Sequence, residues 1–247
     1  MRIATLTDLP ALTALWSDCF GDSPTVIREF WDSLFHTCTV FTAAECGAMA
    51  IAMPVRWQNR DAAYLYAVCT APHLRGQGVS RALLSEAEAY LTGQGNSYAV
   101  LVPAGESLFG FYGALGYETT FFCERQTFSG GPAAPARIVA PAAYAELRQR
   151  YAPDGIQYPL PLLTYQEKAG CLLDLPGLGC AAVEHTDGGF SARELLSDDP
   201  ERAASALCAF LGCASLPARL PGHAPFGMAK SLDGSPLSPS FLGLDFG

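Results

Sequence analysis

An arginine, two glycines and a small hydroxyl residue stand in the order Arg75-Gly76-Gln77-Gly78-Val79-Ser80. Residue types in that order suit the binding of a phosphate group. Just before them, residues 64–70 (Tyr-Leu-Tyr-Ala-Val-Cys-Thr) form a β-prone apolar run, punctuated by Pro72. Just after them, apolar side chains at 79, 83, 84, 87, 90 and 91 have the spacing of one helical face. The glycines therefore sit between the end of a strand and the start of a helix. The first N–H groups of such a helix lack partners, and the positive end of the helix dipole stands behind them. Glycine lets a ligand reach the backbone and tolerates left-handed dihedrals. Arg75 adds a planar cation matched to phosphate oxygens. By itself such a loop is equally compatible with an ordinary strand-to-helix turn. Its spacing is not that of G-x-G-x-x-G, and no G-x-x-x-x-G-K-[ST] occurs, which excludes the Rossmann and P-loop readings.

A second cluster follows once Gly93-Gln94-Gly95-Asn96 ends the helix and residues 98–103 read as a buried-type strand. Phe111-Tyr112-Gly113-Ala114-Leu115-Gly116-Tyr117 resembles the F-Y-x-x-x-G-F/Y signature of the GCN5-related N-acetyltransferases (GNAT). The loop at 75–80 resembles that family's acetyl-CoA pyrophosphate loop, R/Q-x-x-G-x-G/A. The two motifs stand in the family's order, and the resemblance covers roughly residues 1–128.

The resemblance implies an α/β (α+β) fold, a GNAT-like mixed and mostly antiparallel sheet flanked by helices. It also implies acetyl-CoA as co-substrate, bound where two strands splay apart. Val68, Cys69 and Thr70 would offer a main-chain edge to pantetheine, and an N–H of this stretch would polarise the thioester carbonyl. Gly76, Gln77, Gly78, Val79, Ser80 and Arg81, with Arg75, would hold the diphosphate. Tyr112 would protonate the departing sulfur while the acetyl group passes directly to a primary amine in a ternary complex. The alternative is a non-catalytic acyl-CoA-binding or regulatory module that has kept the fold. Two positions depart from the family pattern: Ser80 replaces Gly or Ala, and Gly105 stands where many relatives carry a coenzyme-contacting asparagine. No general base is evident. Glu29 and Asp32 on the second helix are candidates for a cleft-facing carboxylate or plain solvated charges, and His73 lies close to the loop. Cys69 reads as a small packing group. No metal is expected, because His36, His185 and His223 lack metal-ligand spacing.

The elements that must position these residues follow along the chain. A strand at 2–6 precedes a helix at 9–20 ended by Gly21, and Ser23-Pro24 opens a second helix. Strands are expected at 39–42, 48–57 and 62–70, a short helix at 107–115, and closing strands over 117–128. The segment 129–136 reads as a Gly/Pro linker. Beyond it, 137–247 reads as a second, smaller α+β domain: helices at 141–151, 162–168 and 200–211, strands at 170–175, 179–184 and 190–196, and final strands at 226–230 and 241–244. This order resembles the degenerate second acyltransferase-like module of the enhanced intracellular survival type. No Arg-Gly-x-Gly loop recurs there, so no second coenzyme site is expected. In that type the chain's terminal carboxylate can reach the active site, which makes Gly247 a further base candidate.

Bulk properties fit this reading. The chain has 247 residues, half of them apolar and 16% charged, which argues against disorder. No apolar stretch approaches a membrane span, and the N-terminus has no signal-peptide core. Nine cysteines without a C-x-x-C pair read as reduced thiols in a cytoplasmic protein. A net charge of −9 disfavours nucleic acid as a partner. The expected partner is a small-molecule or peptide amine, with homo-oligomerisation left open.

Overall fold

The structure, a computed structural model, describes residues 1–246. Gly247, the terminal base candidate, lies outside the described residues. The chain divides into two compact units: Met1–Glu118 with Met228–Leu237, and Thr119–Gly227 with Ser238 onward. The first unit is thus discontinuous in sequence. A linker composition at 129–136 cannot reveal this, because what defines the unit is a strand returning from far along the chain.

In the first unit β1 (Arg2–Ile3) leads through a 3₁₀ turn (Leu6–Asp8) to α1 (Leu9–Phe20) and α2 (Pro24–Leu34). Gly21 stops α1 in the left-handed region at φ 83°, and the Ser23 hydroxyl accepts the Val26 N–H to start α2. An antiparallel meander follows: β2 (Thr39–Ala43), β3 (Ala48–Trp57) and β4 (Arg60–Thr70). Gln58 and Asn59, both with positive φ (51° and 59°), make the two-residue turn that joins β3 to β4. α3 (Val79–Gly93) then crosses to β5 (Tyr98–Leu101), which runs parallel to β4, and α4 (Glu106–Gly113) carries the second motif. On its other side β5 pairs antiparallel with residues 228–231, from Met228↔Leu101 to Ser231↔Tyr98.

Side-chain alternation sorts the sheet into two faces. Ala48, Ala50, Ala52, Ala63, Leu65, Ala99 and Leu101 pack against Leu83, Leu84, Ala87 and Leu91 of α3. Small alanines on the sheet let the helix come close, while its leucines supply the apolar area, about 1.5–3 kcal/mol for each fully buried one. The opposite face meets α1 and α2 through aromatic edges. Trp16 lies 5.0 Å from Phe30, 5.3 Å from Trp31 and 5.5 Å from Tyr66, ring centre to ring centre. The aromatic stripe of the second helix is therefore core.

The second unit contains β6 (Glu118–Ser129) from Thr119 onward, β7 (Arg137–Ile138), α5 (Pro141–Tyr151) and α6 (Leu160–Lys168). Then come β8 (Gly170–Leu175), β9 (Gly179–Thr186), β10 (Gly189–Ser197), α7 (Pro200–Leu211) and β11 (Ser215–Pro221). β12 (Ala224–Ser231) closes the order, and from Met228 onward, where it lies beside β5, it belongs to the first unit. The order of short strand, two helices, three-strand meander, helix and parallel strand occurs in both units. Here β10 and β11 pair in parallel at Ala192↔Ala218, and β6 lies antiparallel to β11 from Ser215↔Ser129 to Pro221↔Cys123. Each unit is thus a mostly antiparallel sheet flanked by helices, as expected.

Three expectations need correction. The closing strands over 117–128 are one long strand, β6. Residues 215–221 form β11, which Pro217 and Pro221 concealed, since proline usually argues against a paired strand. Residues 241–244 are not a strand: the Ile156 N–H takes the carbonyl of Phe241, and side chains take those of 242–244. Arg148 and Tyr158 donate to Leu242 O (2.9 and 2.5 Å), Arg219 to Gly243 O (2.6 Å), and Tyr158 to Leu244 O (2.9 Å).

The anchor of this tail is a fully buried ion pair. Arg148 Nε and Nη2 each lie 2.9 Å from an oxygen of Glu194, whose Oε1 also accepts the Tyr144 hydroxyl at 2.8 Å. Gly243, at φ 84°, passes so close that a Cβ there would sit 1.8 Å from Glu194 Oε2. Removing one partner strands a buried charge, whereas removing both does not. Arg148→Met should therefore destabilise the chain by about 3–5 kcal/mol in urea unfolding, and the double variant Arg148→Met/Glu194→Leu by clearly less. A single variant no worse than the double would contradict this.

Candidate active site

The central geometric feature is where β4 and β5 stop pairing. They are held together only at Ala62↔Tyr98, Ala63↔Ala99 and Tyr64↔Val100. Beyond Tyr64, β4 continues to Thr70 against β3 alone, so its other main-chain edge is open. A bulge accompanies the parting. Between Met49↔Cys69 and Ile51↔Tyr66 two residues of β4 oppose one of β3, and Ala67 takes φ 47°. Such a bulge bends its strand and increases the local twist.

The strand then runs into the glycine turn. Ala71 N–H bonds to Gly47 O at 2.8 Å, a 3₁₀ turn spans Pro72–Leu74, and Gly76 and Gly78 take φ 75° and 79°. Only glycine adopts such dihedrals without strain, and a Cβ at either position would meet nothing within 4 Å. The open side of the turn is thus a free approach to the backbone. Gly78 caps α3 without a side-chain hydrogen bond, and the first intrahelical bond runs from Ala82 N–H to Gly78 O (3.0 Å). The N–H groups ahead of it stand at the positive end of the helix without a capping side chain. α7 differs: Asp199 accepts the Arg202 N–H and closes that helix end with a carboxylate.

Open edge, glycine turn and α4 enclose one cleft of about 670 Å³. Val68, Cys69, Thr70, Arg75, Gly76, Gly78, Val79, Ser80, Arg81 and Tyr112 all line it. Of the expected site residues only Gln77 stands outside, where its amide holds His73 O at 2.9 Å and pins the turn. Ser80 Oγ lies 3.0 Å from Thr70 Oγ1, tying the helix start to the strand end. Arg75 Nε donates to Thr70 O at 3.0 Å, so this guanidinium braces the strand terminus as well as placing a cation at the turn.

Sequence reasoning missed Cys19, Phe20, Leu74, Ala104, Leu108 and Phe111, which also line the cleft. The Phe-Tyr motif could have signalled Leu108 and Phe111, three positions apart on the same short helix and so on neighbouring faces; nothing in the sequence marked Cys19. Glu29 and Asp32 are exposed on α2 and do not line the cleft, and His73 is exposed on the turn. Gly105 begins α4 in extended backbone, leaving no side chain where the asparagine would stand.

Tyr112 is only 6% exposed, and no hydrogen bond engages its hydroxyl among the described residues. Burial, with a smaller contribution from Cys69, pushes its pKa up to about 12. Its ring lies 5.8 Å from Tyr117, whose hydroxyl donates to Glu88 Oε1 of α3 at 2.8 Å. Lys230 Nζ bonds Glu88 Oε2 at 2.5 Å, so β12 supplies the counter-charge for a carboxylate buried under the site. Tyr117 thus packs and also locks α4 to α3.

Comparison with known proteins agrees with this geometry. Residues 1–120 match the family model of the acetyltransferase (GNAT) domain. No curated protein sequence matches the chain. Three solved structures share its fold over 94% of its length. A protein of Enterococcus faecalis V583 described as a "Probable N-Acyltransferase" superposes with TM-score 0.71 at 18% identity over 72% of that chain. A GCN5-related N-acetyltransferase from Kribbella flavida gives 0.68 at 20% over 72% of its chain. Eis1 from Mycobacterium abscessus gives 0.64 at 11% over 74%. Residues 1–120 therefore match a GNAT acetyltransferase domain, and the likeness of the chain to Eis1 holds at the level of the fold. No helix among the described residues is long and apolar enough to cross a membrane.

The raised Tyr112 pKa makes a stability prediction. The folded value lies above the unfolded value near 10, so the contribution is complete below about pH 10 and is lost as pH climbs towards 12. Between about pH 9 and 11 the wild type should lose roughly 1 kcal/mol more urea stability than Tyr112→Phe. Identical pH dependence in the two proteins would show the phenol to be unperturbed.

Proposed function

We propose that this protein is an N-acetyltransferase that moves the acetyl group of acetyl-CoA directly to a primary amine in a ternary complex. The observation that carries the reading is the single cleft in which an open strand edge, an uncapped glycine-led helix start and a buried tyrosine meet. Pantetheine would extend the sheet along Val68, Cys69 and Thr70 by main-chain hydrogen bonds. The diphosphate would rest on the N–H groups of Gly76–Arg81, with Arg75 contributing charge beside it. Ser80 in place of Gly or Ala is compatible with this, because the contacts are to backbone and the hydroxyl is already held by Thr70.

A neutral amine then attacks the thioester carbonyl, whose developing oxyanion a main-chain N–H of 68–70 would stabilise. As the tetrahedral intermediate collapses the carbon–sulfur bond breaks, Tyr112 O–H passes its proton to the departing sulfur, and the proton that the attacking nitrogen gives up restores the phenol by way of solvent. A pKa near 12 keeps that proton in place throughout the physiological range. The acceptor would be a small-molecule or peptide amine entering from the far side of the thioester. The second unit, with the same element order but a carboxylate-capped α7, reads as a degenerate copy without a coenzyme site.

The residues lining the cleft include no carboxylate or imidazole among those described. That favours, as a second reading, a non-catalytic acyl-CoA-binding module. Titration with acetyl-CoA followed by thiol release over an amine panel separates the two. Turnover supports the enzyme, and binding without turnover on any amine supports the module. Within the first reading Tyr112→Phe should lower kcat by about 10²–10⁴-fold with little change in coenzyme affinity. The wild-type profile should show no loss of activity from tyrosine ionisation below about pH 10. An unchanged kcat would remove Tyr112 from the chemistry. Gly78→Ala strains φ 79° by about 1–2 kcal/mol, which the free turn relieves by leaving that dihedral; binding must then restore it, so acetyl-CoA affinity should fall roughly tenfold. Calorimetry showing an unaltered Kd would contradict the diphosphate seat.

A further inference from the structure

The bulge in β4 has a consequence for two cysteines. Ala63 and Leu65 join the core under α3, while Tyr66 stacks on Phe30 and meets Trp16 on the α1–α2 face. Uninterrupted alternation would send Cys69 to the α3 face with 63 and 65. The extra residue at the bulge reverses the alternation: Val68 packs with the α3 core, and Cys69, opposite Met49, turns towards α1. There the Cys19 thiol, near the C-terminal end of α1, is among the groups that raise the pKa of Cys69. Cys19 Sγ also lies 3.7 Å from Thr70 O and 3.7 Å from Arg75 Nη2. Both sulfurs line the cleft.

The two thiols are unequal. Cys69 is 7% exposed, and burial holds its pKa well above the usual thiol range. Cys19 is half-buried, with the Arg75 guanidinium at its sulfur, so a small solute can reach it. Cys213 packs against the second unit's core, but there Cys208 is only 1% exposed.

We propose that Cys19 and Cys69 form an oxidisable dithiol in which Cys19 attacks a hydroperoxide and Cys69 resolves the product, leaving a disulfide across the cleft. The Cys19 thiolate breaks the O–O bond, takes one oxygen as a sulfenic acid and releases hydroxide. Cys69 sulfur then displaces the sulfenic oxygen, and its own proton leaves with that oxygen as water. The two thiols lose two electrons and two protons in all, and hydrogen peroxide leaves as two waters. On the coenzyme reading given above, the bond would cover the main-chain edge at 68–70 and shut out acyl-CoA until a thiol reductant restores it.

Tryptic cleavage after Arg2, Arg28, Arg60 and Arg75 leaves each cysteine alone on its peptide, so the link can be read directly. Full-length protein treated with hydrogen peroxide should lose two hydrogens in intact mass and yield the Cys19–Cys69 peptide pair. Dithiothreitol should reverse both, and prior saturation with acetyl-CoA, which carries no free thiol, should slow them. Calorimetry should show coenzyme binding lost on oxidation and regained on reduction. Cys19→Ser should form no link, and its coenzyme binding, whatever its starting value, should be insensitive to peroxide. All nine thiols remaining free, a link confined to other cysteines, or equal peroxide sensitivity in Cys19→Ser would overturn the proposal. A Cys19–Cys69 link in a chain that binds no coenzyme even when reduced supports the dithiol and overturns the coenzyme reading instead.

Discussion

Two parallel strands that pair for three residues and then part create everything the site uses. Unpaired backbone groups must find partners, and burial without them is costly. The edge beyond Tyr64 is tolerable because it lines an open cleft where a solvent molecule or an extended ligand can satisfy it. The bulge at Ala67 makes the parting permanent by placing two residues of β4 against one of β3. The same extra residue decides which way Cys69 points and brings Thr70 O within reach of Arg75. A one-residue irregularity therefore sets the strand edge, the brace on its end and the neighbours of its thiol.

The charges around the cleft follow from the same arrangement. α3 begins without a capping side chain, directly where β4 ends, so its partial positive charge faces the open space. α7, in the equivalent place of the second unit's order, has the Asp199 carboxylate on its Arg202 N–H. That contrast gives a physical reason for one anion seat rather than two. Beneath the site, Glu88 is tied on one side to Tyr117 and on the other to Lys230, so α3, α4 and β12 are fixed to one another. Lys230 lies more than a hundred positions after the second motif, and this explains why the first compact unit needs residues 228–237.

Much of the site was legible because its parts are local. The strand, glycine turn and helix lie within residues 60–93, and their order alone implies an exposed row of amides. Phe111 to Tyr117 was legible for the same reason. What escaped depends on contacts distant in sequence. Cys19 enters the cleft only because α1 packs beside β4, and no pattern near residue 19 encodes that. The bulge escaped because Ala67 carries no turn signal; its positive φ is imposed by the register of β3. β11 escaped because two prolines outweigh a favourable pattern, although a strand paired mainly through alternate residues can accommodate them. Residues 241–244 read as a strand because apolar alternation does not reveal that Arg148, Tyr158 and Arg219 have claimed the carbonyls of 242–244. The glycine at 243 was the overlooked signal, since it alone permits the approach to Glu194.

The central claim is that the main-chain edge at 68–70 and the amides at 76–81 together receive acetyl-CoA. Amide hydrogen exchange, with and without saturating coenzyme, reads those groups one segment at a time. The account predicts slowed exchange in both segments on binding, with β9 and the start of α7 unchanged. Coenzyme that binds while leaving 68–70 and 76–81 as fast as before would contradict it.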